Sequence, residues 1–98
     1  MVRISWTLQA KSDLKQIADY ISLNSKRYAK LQVLKIKNKT HVLRTHTLIG
    51  KVVRETENEN IRELIDGRYR IIYKIISKTQ IDILTIHHTA RDLTKREL

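Results

Sequence analysis

The sequence predicts an α+β domain in which a two-helix hairpin packs on one face of an antiparallel sheet, in the order β-α-α-β-β-β. Three observations carry that prediction. Ile61 to Asp92 contains three runs rich in β-branched and aromatic residues, separated by Asp66-Gly67 and by Ser77-Lys78-Thr79-Gln80, which is the composition and turn chemistry of a three-stranded meander. Ahead of it, apolar residues recur at helical spacing with one short interruption at Asn24-Ser25, so two helices lie antiparallel and their joint apolar face covers one side of the sheet. A chain of 98 residues with two Gly and no Pro rarely supports two independent cores, and a single domain over residues 1–98 is expected.

Val2 to Trp6 alternates as a short strand does, with Val2, Ile4 and Trp6 on the side opposite Arg3 and Ser5. Thr7 is placed to cap a first helix over about Leu8–Leu23, where Ala10, Leu14, Ile17, Ala18 and Ile21 form the inner stripe and Lys11, Lys15 and Asp19 the outer one. Ser25 caps a second helix over about Lys26–Thr45, with Leu31, Leu34, Asn38, Val42 and Thr45 expected to face inward. Val33, Ile36 and Leu43 then fall off the main stripe, available to the first helix or to a partner. Lys51 to Asn60 is polar and charged, with a strand extension at Val52-Val53. In the middle run of the meander, Tyr69, Ile71, Tyr73 and Ile75 share one face, while Arg68, Arg70 and Lys74 share the other, because strand side chains alternate. One face wants a core, and the other presents cations.

Twenty Lys and Arg against ten Asp and Glu leave a formal charge of +10, which favours nucleic acid, ribosome or an acidic protein as partner. The distribution sharpens this. No acidic residue occurs between Asp19 and Glu55, where Lys26, Arg27, Lys30, Lys35, Lys37, Lys39, Arg44, Lys51 and Arg54 all lie. With no Cys there is neither a disulfide framework nor a thiolate metal site. The amino-terminal stretch lacks the apolar core of a signal peptide, and no apolar run is long enough to cross a bilayer, so a soluble cytoplasmic protein without membrane contact is expected.

Four histidines raise the question of chemistry, since imidazole titrates near neutrality. His87 and His88 are adjacent in a strand and point to opposite faces, and His41 and His46 are five apart in a helix. No metal site is expected from such spacing, and no cofactor fingerprint or phosphate loop occurs. Arg62, Arg68, Arg70, Lys74 and Arg91 are candidates to converge on the open face of the sheet, with Lys35 and Lys39 adding charge from the second helix. A nuclease would use Arg70 to hold a scissile phosphate, His87 or His88 as general acid or base, and Glu63 as a second proton-transfer group. Strand register decides which histidine shares a face with Arg70, and the sequence leaves both open.

Trp6, Ala10, Asp13-Leu14, Ile17 and Tyr20-Ile21, then Gly50, Arg62-Glu63-Leu64, Tyr69-Arg70-Ile71-Ile72-Tyr73 and His88-Thr89-Ala90-Arg91-Asp92, are together similar to the RelE/ParE superfamily of toxins from type II toxin-antitoxin modules. The similarity covers about Val2 to Leu93 and implies the same β-αα-βββ arrangement. It also implies a toxin used in plasmid stabilisation and growth inhibition, neutralised by a cognate antitoxin. RelE-like members resemble ribosome-dependent endonucleases that cut mRNA, and ParE-like members resemble inhibitors of DNA gyrase. Arg70 matches the sheet arginine of the nuclease branch, but no Tyr follows Tyr73, so the terminal catalytic Tyr of RelE proper is missing. The His88-x-Ala90-Arg91-Asp92 ending and the uninterrupted helical hairpin resemble the ParE branch more closely. The resemblance therefore implies a ParE-like gyrase inhibitor first, and a ribosome-dependent endonuclease using Arg70 and His87 or His88 as the alternative.

Overall fold

Thr7 is extended at φ −67° and ψ 163°, and its hydroxyl accepts from the Ala10 N–H at 3.1 Å, which starts the first helix where the sequence places it. The computed structural model describes residues 1–88. Its elements are β1 (Arg3–Trp6), α1 (Leu8–Ser22), α2 (Lys26–Thr40), a 3-10 turn (His41–Arg44), β2 (Lys51–Val52), β3 (Ile61–Asp66), β4 (Tyr69–Ser77) and β5 (Gln80–His88). Ser25 caps α2 through the Tyr28 N–H at 3.1 Å. The second helix is shorter than its periodicity suggests, since it tightens into the 3-10 turn after Thr40.

The strands form one sheet in the order β1-β5-β4-β3-β2. β3, β4 and β5 are the expected antiparallel meander, and β2 extends it. Gly67, at φ 57°, is the first residue of the β3–β4 turn, since Asp66 pairs with Tyr69; this is the Gly-first pattern of a type II′ hairpin. β1 departs from pure antiparallel pairing. It lies parallel to β5, with Arg3 opposite Gln80 and Trp6 opposite Ile83, because the helical hairpin returns the chain across the sheet before β2. The sheet is therefore mixed, with the two helices packed on one side.

Between sheet and helices lies a core that includes Ala10, Leu14, Ile36, Leu43, Leu64, Ile71, Tyr73, Ile81, Ile83 and Ile86. The inward face of α2 differs from the expected one. Ala29, Ile36 and Thr40 are buried and Val33 packs against the core, whereas Leu31 and Leu34 are exposed at 51% and 55% and Asn38 is exposed too. Leu43, expected off the stripe, continues the buried row from the 3-10 turn, while Val42 does pack on the core and Thr45 is exposed. The spacing 29, 33, 36, 40, 43 is itself a regular helical stripe. A second, smaller apolar cluster of Val53, Ile61 and Ile72, with Leu84 against it, occupies the other sheet face under the segment that follows β2.

Two polar devices fix the layers to each other. Opposite Ile72 and Tyr73 the register slips past Leu84, so that Ile72 pairs with Thr85 and Tyr73 with Ile83; such a bulge re-aims a side chain. The Thr85 hydroxyl donates to the buried Asp13 carboxyl of α1, which also accepts from the Ile86 N–H at 3.1 Å and from Gln9 Nε2 at 2.8 Å. At the far end, the buried Tyr73 hydroxyl donates to the Thr47 carbonyl at 2.7 Å and accepts from the Gly50 N–H at 3.0 Å. Burial pushes the Tyr73 phenol above its usual value of 10.0, opposed by the Gly50 hydrogen bond and the nearby Arg62 charge. No helix among the described residues is long and apolar enough to cross a membrane.

Candidate functional site

The open sheet face answers the register question. Arg70 is the direct cross-strand partner of His87, so the two share a face, and Tyr69 is opposite His88. His88 therefore stands on the helix side, where its ring meets Tyr69 edge-on at 5.8 Å and 87°. His87 is buried, at 3% exposure. Glu63, from β3, is on the same face as Arg70, and Glu55 reaches in from the segment after β2.

Arg70, Glu55 and Glu63 form an ion cluster rather than an open anion site. Arg70 Nε and Nη2 both lie 2.5 Å from Glu63 Oε2, and Nη1 and Nη2 lie 3.0 and 3.3 Å from the two oxygens of Glu55. The guanidinium is bidentate to one carboxylate and forked on the other, the geometry in which Arg binds most strongly. The Glu55 hydrogen bond raises the Arg70 pKa further, against the lowering effect of burial and with added contributions from Glu63. Two negative charges already occupy the positions from which Arg70 would grip a phosphate.

The remaining cations do not converge. Arg62 sits on the helix side, where its Nε donates to the Glu59 carbonyl at 2.9 Å and its Nη1 to the Gly50 and Leu48 carbonyls at 2.9 and 3.4 Å. It staples the connection from the 3-10 turn to β2, instead of joining Arg70 on the open face. Alternation explains this: Arg62 precedes Leu64 by two residues, and Leu64 belongs to the core. Arg68 occupies the β3–β4 turn and is exposed. Lys74 is partly buried, with Ile61 and Asp82 as cross-strand partners. Lys35 is exposed and its ammonium lies 3.7 Å from the buried Asp66 carboxylate, while Lys39 is exposed on the same helix. Arg91 lies outside the described residues.

A second site was not legible in the sequence. A groove of about 840 Å³ runs between α1, α2 and β1. Ile4, Trp6, Leu14, Ala18 and Val33 supply its apolar lining, and Lys11, Lys15, Lys37, His41 and Arg44 supply polar, mostly cationic groups. Among the described residues no carboxylate is part of the lining, and Lys15 is paired with Asp19 at 2.9 Å. Trp6 enters because β1 is the edge strand of the sheet, and its own edge position depends on a parallel pairing that local sequence patterns do not encode. The only advance signal was the acid-free stretch between Asp19 and Glu55, which leaves the groove without negative charge on the α2 side.

The comparisons agree with this architecture. The family model of the ParE toxin of type II toxin-antitoxin systems, parDE, matches residues 4–93. Among solved structures, the chromosomal ParDE system from P. aeruginosa is similar at a TM-score of 0.73 and 26% identity, over 90% of this chain and 96% of that one. The DinJ-YafQ complex from E. coli shares the fold at a TM-score of 0.55 and 15% identity, over 92% of this chain and 96% of that one. A YafQ mutant from E. coli does so at a TM-score of 0.53 and 15% identity, with coverage of 92% and 96%. A comparison with curated protein sequences finds no match. With a family model spanning nearly the whole described fold, including the helical hairpin, the bulged β5 and the sheet that carries Arg70, the chain belongs to the ParE toxin family of type II toxin-antitoxin systems.

Proposed function

We propose that this toxin arrests growth by binding an essential target, DNA gyrase, without cutting RNA, and that a cognate antitoxin neutralises it by occupying the basic groove beside Trp6. The observation that carries the binding mode is the closed Arg70 cluster. A phosphate entering the open sheet face has to displace both Glu55 and Glu63 from a guanidinium that they hold at 2.5 to 3.3 Å, and removing one partner of a half-buried pair strands the other. The groove supports the antitoxin assignment by its chemistry. An amphipathic segment that folds on binding can place apolar anchors against Ile4, Trp6 and Val33 and carboxylates against Lys11, Lys15, Lys37 and Arg44. The similar structures named above include a ParDE system and a DinJ-YafQ complex, which are two-component assemblies by name.

A second reading has one observation in its favour: Arg70, Glu63 and His87 share a sheet face. As an mRNA endonuclease on the ribosome, the protein would use Arg70 for the phosphate and His87 for proton transfer, after the two carboxylates had withdrawn. Induction in bacteria, with mapping of new mRNA 5′ ends, and a supercoiling assay with purified protein and gyrase separate the readings. The expected result is loss of supercoiling with no codon-phased cleavage. Codon-phased cuts that disappear in Arg70→Ala would replace the binding reading with the nuclease. Titration of the toxin with its antitoxin should restore supercoiling, and Lys11→Glu/Lys15→Glu should abolish that rescue.

A further inference from the structure

α2 carries one apolar stripe that the fold buries and, on the opposite side, a pair of leucines that it does not. Ala29, Val33, Ile36 and Thr40 turn inward, whereas Leu31 and Leu34 stand on the opposite side, 51% and 55% exposed. Arg27, Leu31, Leu34 and Asn38 recur at intervals of four, three and four, so they share one outward face. Lys30 and Lys37 flank it on one side and Lys35 and Lys39 on the other. Among the described residues, the ion pair made by this helix is that of Lys35 with Asp66. A helix shaped only for solubility would place Glu four residues from these lysines and gain from each pair. This one instead keeps Lys26 with Lys30, and Lys35 with Lys39, at the repulsive i,i+4 spacing.

Shape distinguishes this surface from the groove. A concave seat receives a segment; a convex helical ridge enters a slot in a folded partner. Leucine knobs one turn apart, with cations on both flanks, complement an apolar slot rimmed by carboxylates. We propose that the outward face of α2 is the surface through which the toxin docks on its target, with Leu31 and Leu34 as anchors in an acidic, apolar-floored slot and Lys30 and Lys39 as flanking cations. This rests on the target-binding reading above and adds the surface that performs it. Nucleic acid is the rival polyanion, and the leucines decide between them, because a phosphate backbone is recognised by cations rather than by buried aliphatic anchors.

The test compares the full-length chain with Leu31→Ser/Leu34→Ser, Lys30→Gln/Lys39→Gln and Lys78→Gln, the last in the distant β4–β5 turn. Each is induced in bacteria, and the purified proteins are compared by circular dichroism and thermal melting. Both α2 variants are expected to keep the wild-type fold. The leucine variant is expected to need about tenfold or more inducer for growth arrest, the lysine variant to be weakened as well, and Lys78→Gln to act as wild type. Growth arrest by a folded leucine variant at the wild-type inducer level overturns the proposal. Loss of arrest in the lysine variant alone assigns the ridge to nucleic acid and also overturns it. If the double leucine variant does not fold, Leu34→Gln is read in the same way. Failure of the wild-type chain to arrest growth is a separate outcome, independent of every α2 variant; it removes the toxin reading and this surface with it.

Discussion

A Cβ on Gly50 would meet the Tyr73 hydroxyl oxygen at 2.5 Å and the Glu63 carbonyl oxygen at 2.8 Å. The backbone at Gly50 approaches that closely because its N–H donates to the phenol, which in turn donates to the Thr47 carbonyl. Gly50→Ala is therefore expected to cost about 1–3 kcal/mol through overpacking, read as a lower midpoint in urea with an unchanged slope. Tyr73→Phe keeps the ring and removes the hydroxyl, leaving the Gly50 N–H without its partner, for an expected loss of about 1–3 kcal/mol at neutral pH. The pH dependence follows from the raised phenol. Tyr73 holds its proton in the folded state to a higher pH than the ordinary 10.0. Below that value its contribution is fully present; it is lost as pH rises from about 10 through the folded value, because the unfolded chain then binds fewer protons. Thermal melts at pH 8 and pH 11 should show wild type losing more stability than Tyr73→Phe, and parallel losses would refute this. Thr7 and Ser25 were legible as caps because a cap acts on residues two or three positions away. The Tyr73–Gly50 bond spans 23 residues, and only the fold brings its ends together.

At the scale of elements, the existence and order of the helices and of the meander follow from period and turn chemistry, but the face of α2 does not. Its sequence offers one helical stripe and, on the opposite side, a pair of larger leucines, and the leucines lie on the exposed side. The fold buries the row containing Ala29 and Thr40, whose small side chains suit close packing between layers. Substitution separates the two sides. Ile36→Ala empties a fully buried site and should cost about 2–5 kcal/mol, whereas Leu31→Ala should stay within about 0.5 kcal/mol. Comparable losses at both positions, measured by chemical unfolding, would mean that α2 is rotated from the arrangement described. The candidate site has the same divided legibility. Side-chain alternation was enough to place Arg70 away from Tyr69 and Tyr73, but not to choose between His87 and His88. That choice depends on the bulge at Leu84, which shifts the register by one residue within β5 and so reverses which histidine faces Arg70.

For the whole molecule, the charge of +10 is distributed unequally between the surfaces that the fold creates. Arg70 is neutralised by Glu55 and Glu63, and Arg62 is bound to backbone carbonyls, so much of the sheet's cationic character is used internally. Lys11, Lys37 and Arg44 line the groove beside β1, together with Lys15, which is paired with Asp19 at 2.9 Å. Composition pointed to an acidic partner; the groove proposed for it was not legible, because Ile4 and Trp6 reach it only through β1's parallel pairing with β5, at the other end of the chain. Exposed cations of this kind accelerate encounter more than they hold a finished complex, and salt screens them over about 8–10 Å at ionic strengths of about 0.1–0.15 M. Binding of an acidic antitoxin segment to the groove should therefore be steered at long range and held by apolar contact with Ile4, Trp6 and Val33. Stopped-flow association between about 50 and 500 mM NaCl should show kon falling by about tenfold or more, with koff changing by less than about threefold. Trp6→Ala should reverse the pattern, raising koff at every salt concentration and leaving the salt dependence of kon intact. If salt acts mainly on koff in the wild-type protein, the complex is held by buried ion pairs, and the lysines, rather than the tryptophan floor, anchor the antitoxin.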